Sequence, residues 1–399
     1  MRGFSATIDA PTKRPLPLVP QCGQCQLHKT CISPKMKVWG NGKKKIMVCG
    51  EAPGKNEDEQ NRPFIGDAGD LLRRTLAKAG IDLDEDCYTI NAARCRPPDN
   101  KLPPKSIEFC RPFQVKDIEE LRPRVLLLLG GSAVKSIVGW LWKEDVGAAG
   151  RWDGWQIPSQ KLNAWVCCTL HPSYINRLDG QGDGDLARMF FERHVAAAVA
   201  LHGSRPWKER PDWHKQVTKL LDPDEAAMMI RAYCITEKPI VFDYETTTRK
   251  PDSSNAEIYC CSVSDGSNAL AFPWHGKAID ATRELLTSDT PKWGWNAQFE
   301  QRATRRHLGI DVRNWQWCGM LASHVLDNRD SICSLAFQSF ARLGFADFKD
   351  DTTQYLKTKG SNERNRIREA PLDAILTRCG LDALVEWKLC ELQQKEFDR

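Results

Sequence analysis

Two pairs of cysteines, Cys22-Gly-Gln-Cys25 near the start and Cys95-x14-Cys110 far downstream, constrain this chain more than any other feature. Four soft thiolates in two separated pairs can hold one metal centre, and such a centre ties the N-terminal segment to a distant loop. The first pair has the spacing of a zinc knuckle and the second does not, so spacing alone leaves a four-thiolate zinc ion and an iron–sulfur cluster both open. The chain has sixteen cysteines in 399 residues, yet residues 1–20 are basic and Pro-rich with no apolar signal-peptide core. A reducing, cytoplasmic compartment follows as the expectation. The paired thiols then read as metal ligands rather than disulfides, while Cys31, Cys49, Cys87, Cys167, Cys168, Cys260 and Cys261 read as small core hydrophobes. No stretch approaches a membrane span, so no membrane partner is expected.

At this length the chain has room for two ordinary domains. In the first, Ile46 to Val48, Cys87 to Ile90, Val125 to Leu129 and Val166 to Thr169 are continuous apolar runs, the pattern of parallel strands covered on both faces. Helical spacing over Asp70 to Gly80 and Ser106 to Leu121 makes the domain α/β. The charged, Pro-broken stretch from Gly203 to Pro211 marks a linker. Domain limits follow: an N-terminal segment 1–20, a first domain 21–202, a linker and connecting helix 203–236, and a second domain 237–399. The net charge of +5 is mild, but basic residues bunch in Lys35 to Lys45, Arg302 to Arg306 and Lys357 to Arg368. Bunched cations suit a phosphate backbone, and a solvated helix face is the bland alternative.

Between the cysteine pairs lie Gly50-Glu51-Ala52-Pro53-Gly54-Lys55-Asn56-Glu57-Asp58 and Arg62-Pro63-Phe64-Ile65-Gly66, and further on comes His171-Pro172-Ser173. This set, in this order, resembles the iron–sulfur uracil-DNA glycosylases of family 4 over roughly residues 20–200. The resemblance implies an α/β/α sandwich with a parallel central sheet and a 4Fe–4S cluster on Cys22, Cys25, Cys95 and Cys110. It implies that Phe64 stacks on an extruded uracil, that Asn91 reads its polar edge and that His171 donates to the carbonyl oxygen that gains charge. A carboxylate for the water and the oxocarbenium ion is expected from Glu51 first and Glu57 second. Ala52 stands where other glycosylase families place a catalytic aspartate. Asn61 stands where the family usually has Gly, and Asn tolerates the left-handed turn better than most residues.

The second half carries another set of carboxylates. Asp243 and Glu245, two apart on the apolar run Pro239-Ile-Val-Phe-Asp243, project from the same face of a strand. Asn296-Ala-Gln-Phe299-Glu300 opens a helix, and Asp382 follows in Cys379-Gly-Leu-Asp-Ala-Leu-Val-Glu. Together these resemble the DEDD 3′–5′ exonucleases of the DnaQ-like, RNase H-like fold, specifically the proofreading domains of phage polymerases of the DNA polymerase I type. The resemblance implies two Mg²⁺ or Mn²⁺ ions on Asp243, Glu245, Glu300 and Asp382, with Asn296, Phe299 and Arg378 towards the substrate. Glu300 replaces the more common Asp. Arg378 stands where Tyr or His is expected and cannot relay a proton, which implies weakened catalysis.

Two functions of different class are consistent with this sequence. One is a DNA-processing enzyme that excises uracil and trims 3′ ends. The other is a uracil-sensing, DNA-binding module attached to the proofreading subunit of a split polymerase. Both imply DNA as partner, and both leave room for a separate polymerase subunit.

Overall fold

The computed structural model describes residues 19–143, 145–182, 184–346 and 352–398. The Pro-rich N-terminal segment lies almost wholly outside them. Strands β1 (Ile46–Gly50), β2 (Cys87–Asn91), β3 (Val125–Leu129), β4 (Gln156–Ser159) and β5 (Ala164–Thr169) form a first sheet in the order β2-β1-β3-β5-β4. All neighbours are parallel except the edge pair β4–β5. Every residue of β1 and β3 is buried. Ile46 and Val48 point to the helices Asp67–Lys78 and Asp185–Ala200, and Met47 and Cys49 to Ser106–Leu121 and Gly130–Leu141. Two covered faces explain why the strands are continuously apolar. In such a sheet the crevice beyond the carboxyl ends of the strands is the place for a ligand, and Gly50, Asn91 and the loop leading to His171 all lie there.

The second sheet contains β6 (Val217–Lys219), β7 (Ile240–Thr246), β8 (Ile258–Ser264), β9 (Ala269–Pro273), β10 (Lys292–Gly294) and β11 (Trp315–Cys318), ordered β11-β10-β7-β8-β9-β6. β7, β8 and β9 form an antiparallel meander, while β10 and β11 run parallel to β7. That topology is RNase H-like, as the resemblance implies. The helix Leu372–Phe397 crosses one face; Pro223–Ala232 and Lys277–Thr287 cover the other. One boundary needs correction. β6 pairs with β9, and Ala226, Ala227 and Ile230 lie in the second core, so most of the stretch expected as a linker over 203–236 belongs to this domain.

A shared aromatic seam joins the two halves. The helix Leu335–Leu343 sends Phe337 and Phe340, both buried, into the core of the first domain. Phe340 stacks on Trp142 at 5.3 Å between centroids, and Phe337 meets Trp152 at 5.1 Å and Trp155 at 5.5 Å. Gly344 sits so close to β4 that a Cβ there would come within 1.9 Å of the Pro158 carbonyl oxygen. Arg329 donates across the seam to the carbonyls of Asp153 (2.7 Å) and Gly150 (3.1 Å). No helix among the described residues is long and apolar enough to cross a membrane.

The basic runs are less open than their bunching implies. Lys43 and Lys44 pair with Glu85 and Asp86, Arg302 with Asp252, Arg305 with Asp311, and Arg364 and Arg368 both with Glu257. These cations lie in ion pairs at the surface, Lys43 and Lys44 in a turn and Arg302 and Arg305 on a helix.

Candidate active sites

Glu51, Glu57, Phe64, Asn91 and His171, taken separately from the sequence, line one cleft of about 430 Å³ at the carboxyl edge of the first sheet. Beneath Asn91 and Phe64 lies the buried Gly50, the last residue of β1. A Cβ there would lie 2.4 Å from Asn91 Oδ1 and 2.9 Å from Phe64 Cζ, so only glycine leaves the amide and the ring this close together. Asn91 ends β2 and is 7% exposed, and its Nδ2 is buried with no hydrogen-bond partner among the described residues. An orphaned buried donor costs roughly 1–3 kcal/mol, and a site tolerates that when a ligand supplies the missing acceptor.

His171 caps the helix Pro172–Asp179. Its Nδ1 accepts from Ser173 N–H (3.2 Å) and from Ser173 Oγ–H (2.8 Å). In the neutral ring the proton therefore sits on Nε2. Burial holds the imidazole below its usual pKa, with Arg177 adding to that and Glu51 opposing it. A neutral donor is thus favoured. Glu51 is exposed and accepts from Ser132 Oγ at 3.0 Å; Ser132 and Arg177 were not singled out from the sequence.

Glu57 has a different task from the one expected. Its carboxylate accepts from the backbone N–H of Gly54 at 2.6 Å and from that of Phe64, and a further bond comes from Ile65. Both oxygens are occupied in holding the loop that presents Phe64, whose φ is +59°. The next residue, Asp58, is 2% exposed and accepts from Ile32 N–H (3.0 Å) and Ser33 N–H (2.8 Å). One short helix, Lys55–Gln60, thus ties the Phe64 loop to the segment beside the cysteines. Asn61 ends that helix in the left-handed conformation, φ +50°, as expected of the residue standing in for Gly.

Cys22, Cys25, Cys95 and Cys110 line a single small cavity with Leu27, Phe109 and Phe113. Cys22 and Cys25 share one helical turn packed on the helix that carries Cys110. Lys35 N–H donates to Cys95 Sγ (3.2 Å) and Arg94 N–H to Cys110 Sγ (3.3 Å). Burial pushes the Cys95 thiol up to about 12 and Cys110 to about 11, so a metal would have to displace their protons. Among the described residues no three His, Cys, Asp or Glu side chains are already closed around one ion, and this holds for these cysteines and for the carboxylates of the second domain alike. An apolar chamber with four surrounding thiols and backbone donors aimed at sulfur fits a polynuclear cluster. Cys31 lies beside Cys95, within hydrogen-bonding reach.

In the second domain, Asp243 and Glu245 on β7, Glu300 on the helix Ala297–Leu308, and Asp382 on Leu372–Phe397 form one acidic cluster. Asp243 and Glu300 are hydrogen-bonded to each other, and burial drives both upward, Asp243 to about 6. Two buried carboxylates in contact must share a proton or a cation. Glu300 Oε2 is buried without a partner among the described residues. Glu386, one helical turn after Asp382, is 5% exposed, accepts from Trp295 N–H at 3.2 Å and faces Asp243 and Asp382. The sequence reading missed it, although the i, i+4 spacing was visible. Arg378 lies within the cluster, its Nε 3.0 Å from Glu245 and 3.8 Å from Asp382. Asn296 precedes the Glu300 helix and is exposed; Phe299 is half-buried on its first turn.

Residues 38–198 match the model of the uracil DNA glycosylase superfamily. The type-4 uracil-DNA glycosylase of Pyrobaculum aerophilum is 36% identical over 44% of this chain and 90% of that protein. The Thermotoga maritima enzyme of the same name is 35% identical over 40% of this chain and 80% of its own length. A DNA polymerase of Bacillus phage SP01 is 33% identical over 90% of this chain, which spans 41% of that polymerase. Escherichia coli RNase D, a solved structure, overlays 46% of the chain with a TM-score of 0.34 and 12% identity.

Proposed function

This chain belongs to the type-4 uracil-DNA glycosylases, and from that premise we propose that its first cleft excises uracil from DNA while its second hydrolyses DNA from 3′ ends. The observation that carries the first activity is the orphaned Asn91 Nδ2 beside the Phe64 ring, both packed on Gly50 at the edge of the cleft. Uracil presents an acceptor to that amide, and its flat ring would stack on the face of Phe64 that borders the cleft. As the C1′–N1 bond breaks, its electron pair moves into the base. His171 Nε2–H, neutral and fixed by Ser173, stabilises the carbonyl oxygen on which that charge collects. Glu51 faces the oxocarbenium ion and takes the proton of the water whose oxygen joins C1′. Glu57 acts only by positioning Phe64.

The four-cysteine chamber is proposed to hold a 4Fe–4S cluster on Cys22, Cys25, Cys95 and Cys110. When bound, it supplies a fixed knot between the N-terminal segment, the Arg94–Cys95 loop that continues from Asn91, and the helix of Cys110. In the second cleft, Asp243, Glu300, Glu386 and Asp382 are the donors for a divalent cation, a hard ion that matches carboxylate oxygen. Such an ion supplies charge neutralisation at a phosphodiester and an ionised water. Asn296 and Phe299 stand where the terminal nucleotide would rest. DNA is the partner. A separate polymerase is the proposed copying enzyme, and the cytoplasm, the host's for a phage-encoded chain, is the proposed compartment.

The test uses the full chain on uracil-containing single-stranded and duplex oligonucleotides in EDTA, followed by alkali. EDTA silences the cation-dependent nuclease and spares base excision. Alkali-sensitive breaks at uracil, lost in Asn91→Ala and His171→Ala, are expected; tight binding without breaks would refute the enzyme reading.

A further inference from the structure

The acidic cluster is asymmetric. At its deep end, Asp243 and Glu300 are hydrogen-bonded to each other with Glu386 and Asp382 nearby, and the Arg378 charge reaches Asp243 from the rim. At its rim, the Arg378 guanidinium bonds Glu245 at 3.0 Å and lies 3.8 Å from Asp382. It is also pinned from behind, with Nη1 3.4 Å from the hydroxyls of Thr352 and Thr353. Arg378 and Asp382 lie one turn apart on one helix, which brings the guanidinium within reach of the rim, where the contacts to Glu245, Thr352 and Thr353 hold it.

A two-ion phosphodiesterase holds its cations a few ångströms apart, sharing one carboxylate between them. Asp243 is placed for the shared role. The ion nearer the rim would need Glu245 and Asp382, the two carboxylates that already hold Arg378. A guanidinium cannot lose its proton at any working pH, so it cannot yield the site by titration. Resting on the nuclease reading of this cleft, we infer that Arg378 occupies the second cation's place, and that the site takes one divalent ion, at the deep end. The fixed positive charge can still neutralise a bound phosphate and steady a departing oxygen. What it cannot do is ionise water, and that task falls to the deep ion.

The experiment counts Mn²⁺ bound to the full chain by isothermal titration calorimetry after removal of divalent ions, with uracil excision measured on the same samples. Wild type is expected to bind one Mn²⁺ in this cleft and Asp243→Asn none. Arg378→Gln, which removes the charge and shortens the side chain, should bind two, and Arg378→Lys should return to one. Two ions in wild type, or one in Arg378→Gln with an unchanged melting temperature, would overturn the inference. No Mn²⁺ bound by either protein, with excision intact, would overturn the nuclease reading beneath it and leave the glycosylase reading standing.

Discussion

Phe337→Ala should unfold both halves of the molecule together, although Phe337 belongs to the second half of the chain. Its side chain is fully buried, with ring centroids 5.1 Å from Trp152, 5.5 Å from Trp155 and 6.0 Å from Trp142. Arg151 lies over its face at 4.3 Å. Truncating a buried Phe to Ala costs about 3–5 kcal/mol through lost transfer energy and the cavity left behind. Contacts with three rings place this one near the top of that range, about 5 kcal/mol. At roughly 1.2 °C per kcal/mol for one cooperative body of 399 residues, the melting temperature should fall by about 6 °C. Phe337→Leu, which refills most of the space, should cost less than about 1.5 kcal/mol. Differential scanning calorimetry gives the transition, and residual uracil excision after a heat pulse reports on the distant cleft. The expected result is one transition, displaced, with excision lost in step. Two separate transitions, with excision as heat-resistant as in wild type, would show that the seam does not couple the halves.

Gly50→Ala should reduce kcat/KM for uracil excision at least 100-fold, because the new methyl meets Asn91 and Phe64 inside the cleft; steady-state kinetics check it, and near-normal excision would mean the base lies elsewhere. Because burial lowers the His171 pKa, the imidazole stays neutral through the ordinary histidine range. Excision should hold its plateau as pH falls to about 6.5 and decline only below that; a pH–rate profile with its acid limb at or above that value would contradict the assignment. Asp243 carries the opposite sign: its folded pKa of about 6 is raised, so in metal-free protein the associated stability is present at low pH and lost as pH rises through 6. Asp243→Asn should therefore raise the metal-free melting temperature at pH 7.5, and thermal denaturation in EDTA that shows a fall would reverse the argument.

The parts of the fold legible in the sequence were those where one physical rule dominates. β1 and β3 are continuously buried because both faces are covered, and β7 showed its carboxylates because a strand's period of two is unambiguous. β4 escaped notice: it is an antiparallel edge strand containing Pro158, a residue that argues against a strand anywhere but an edge. β6 and β10 are three residues each, too short for any period. Glu57 and Glu51 look alike in sequence, and only the structure shows that backbone donors occupy Glu57 while Glu51 is exposed beside Ser132. Phe337 and Phe340 were not singled out as core residues, because spacing three apart on a helix does not say which core the rings enter.

The aromatic seam bears on how the molecule can be dissected. A fragment cut between the two sheets would leave Trp142, Trp152 and Trp155 facing water where Phe337 and Phe340 had covered them. Such a piece would be sticky and would misreport the chemistry of the cleft it retains, so silence from an isolated half would say little about the intact chain.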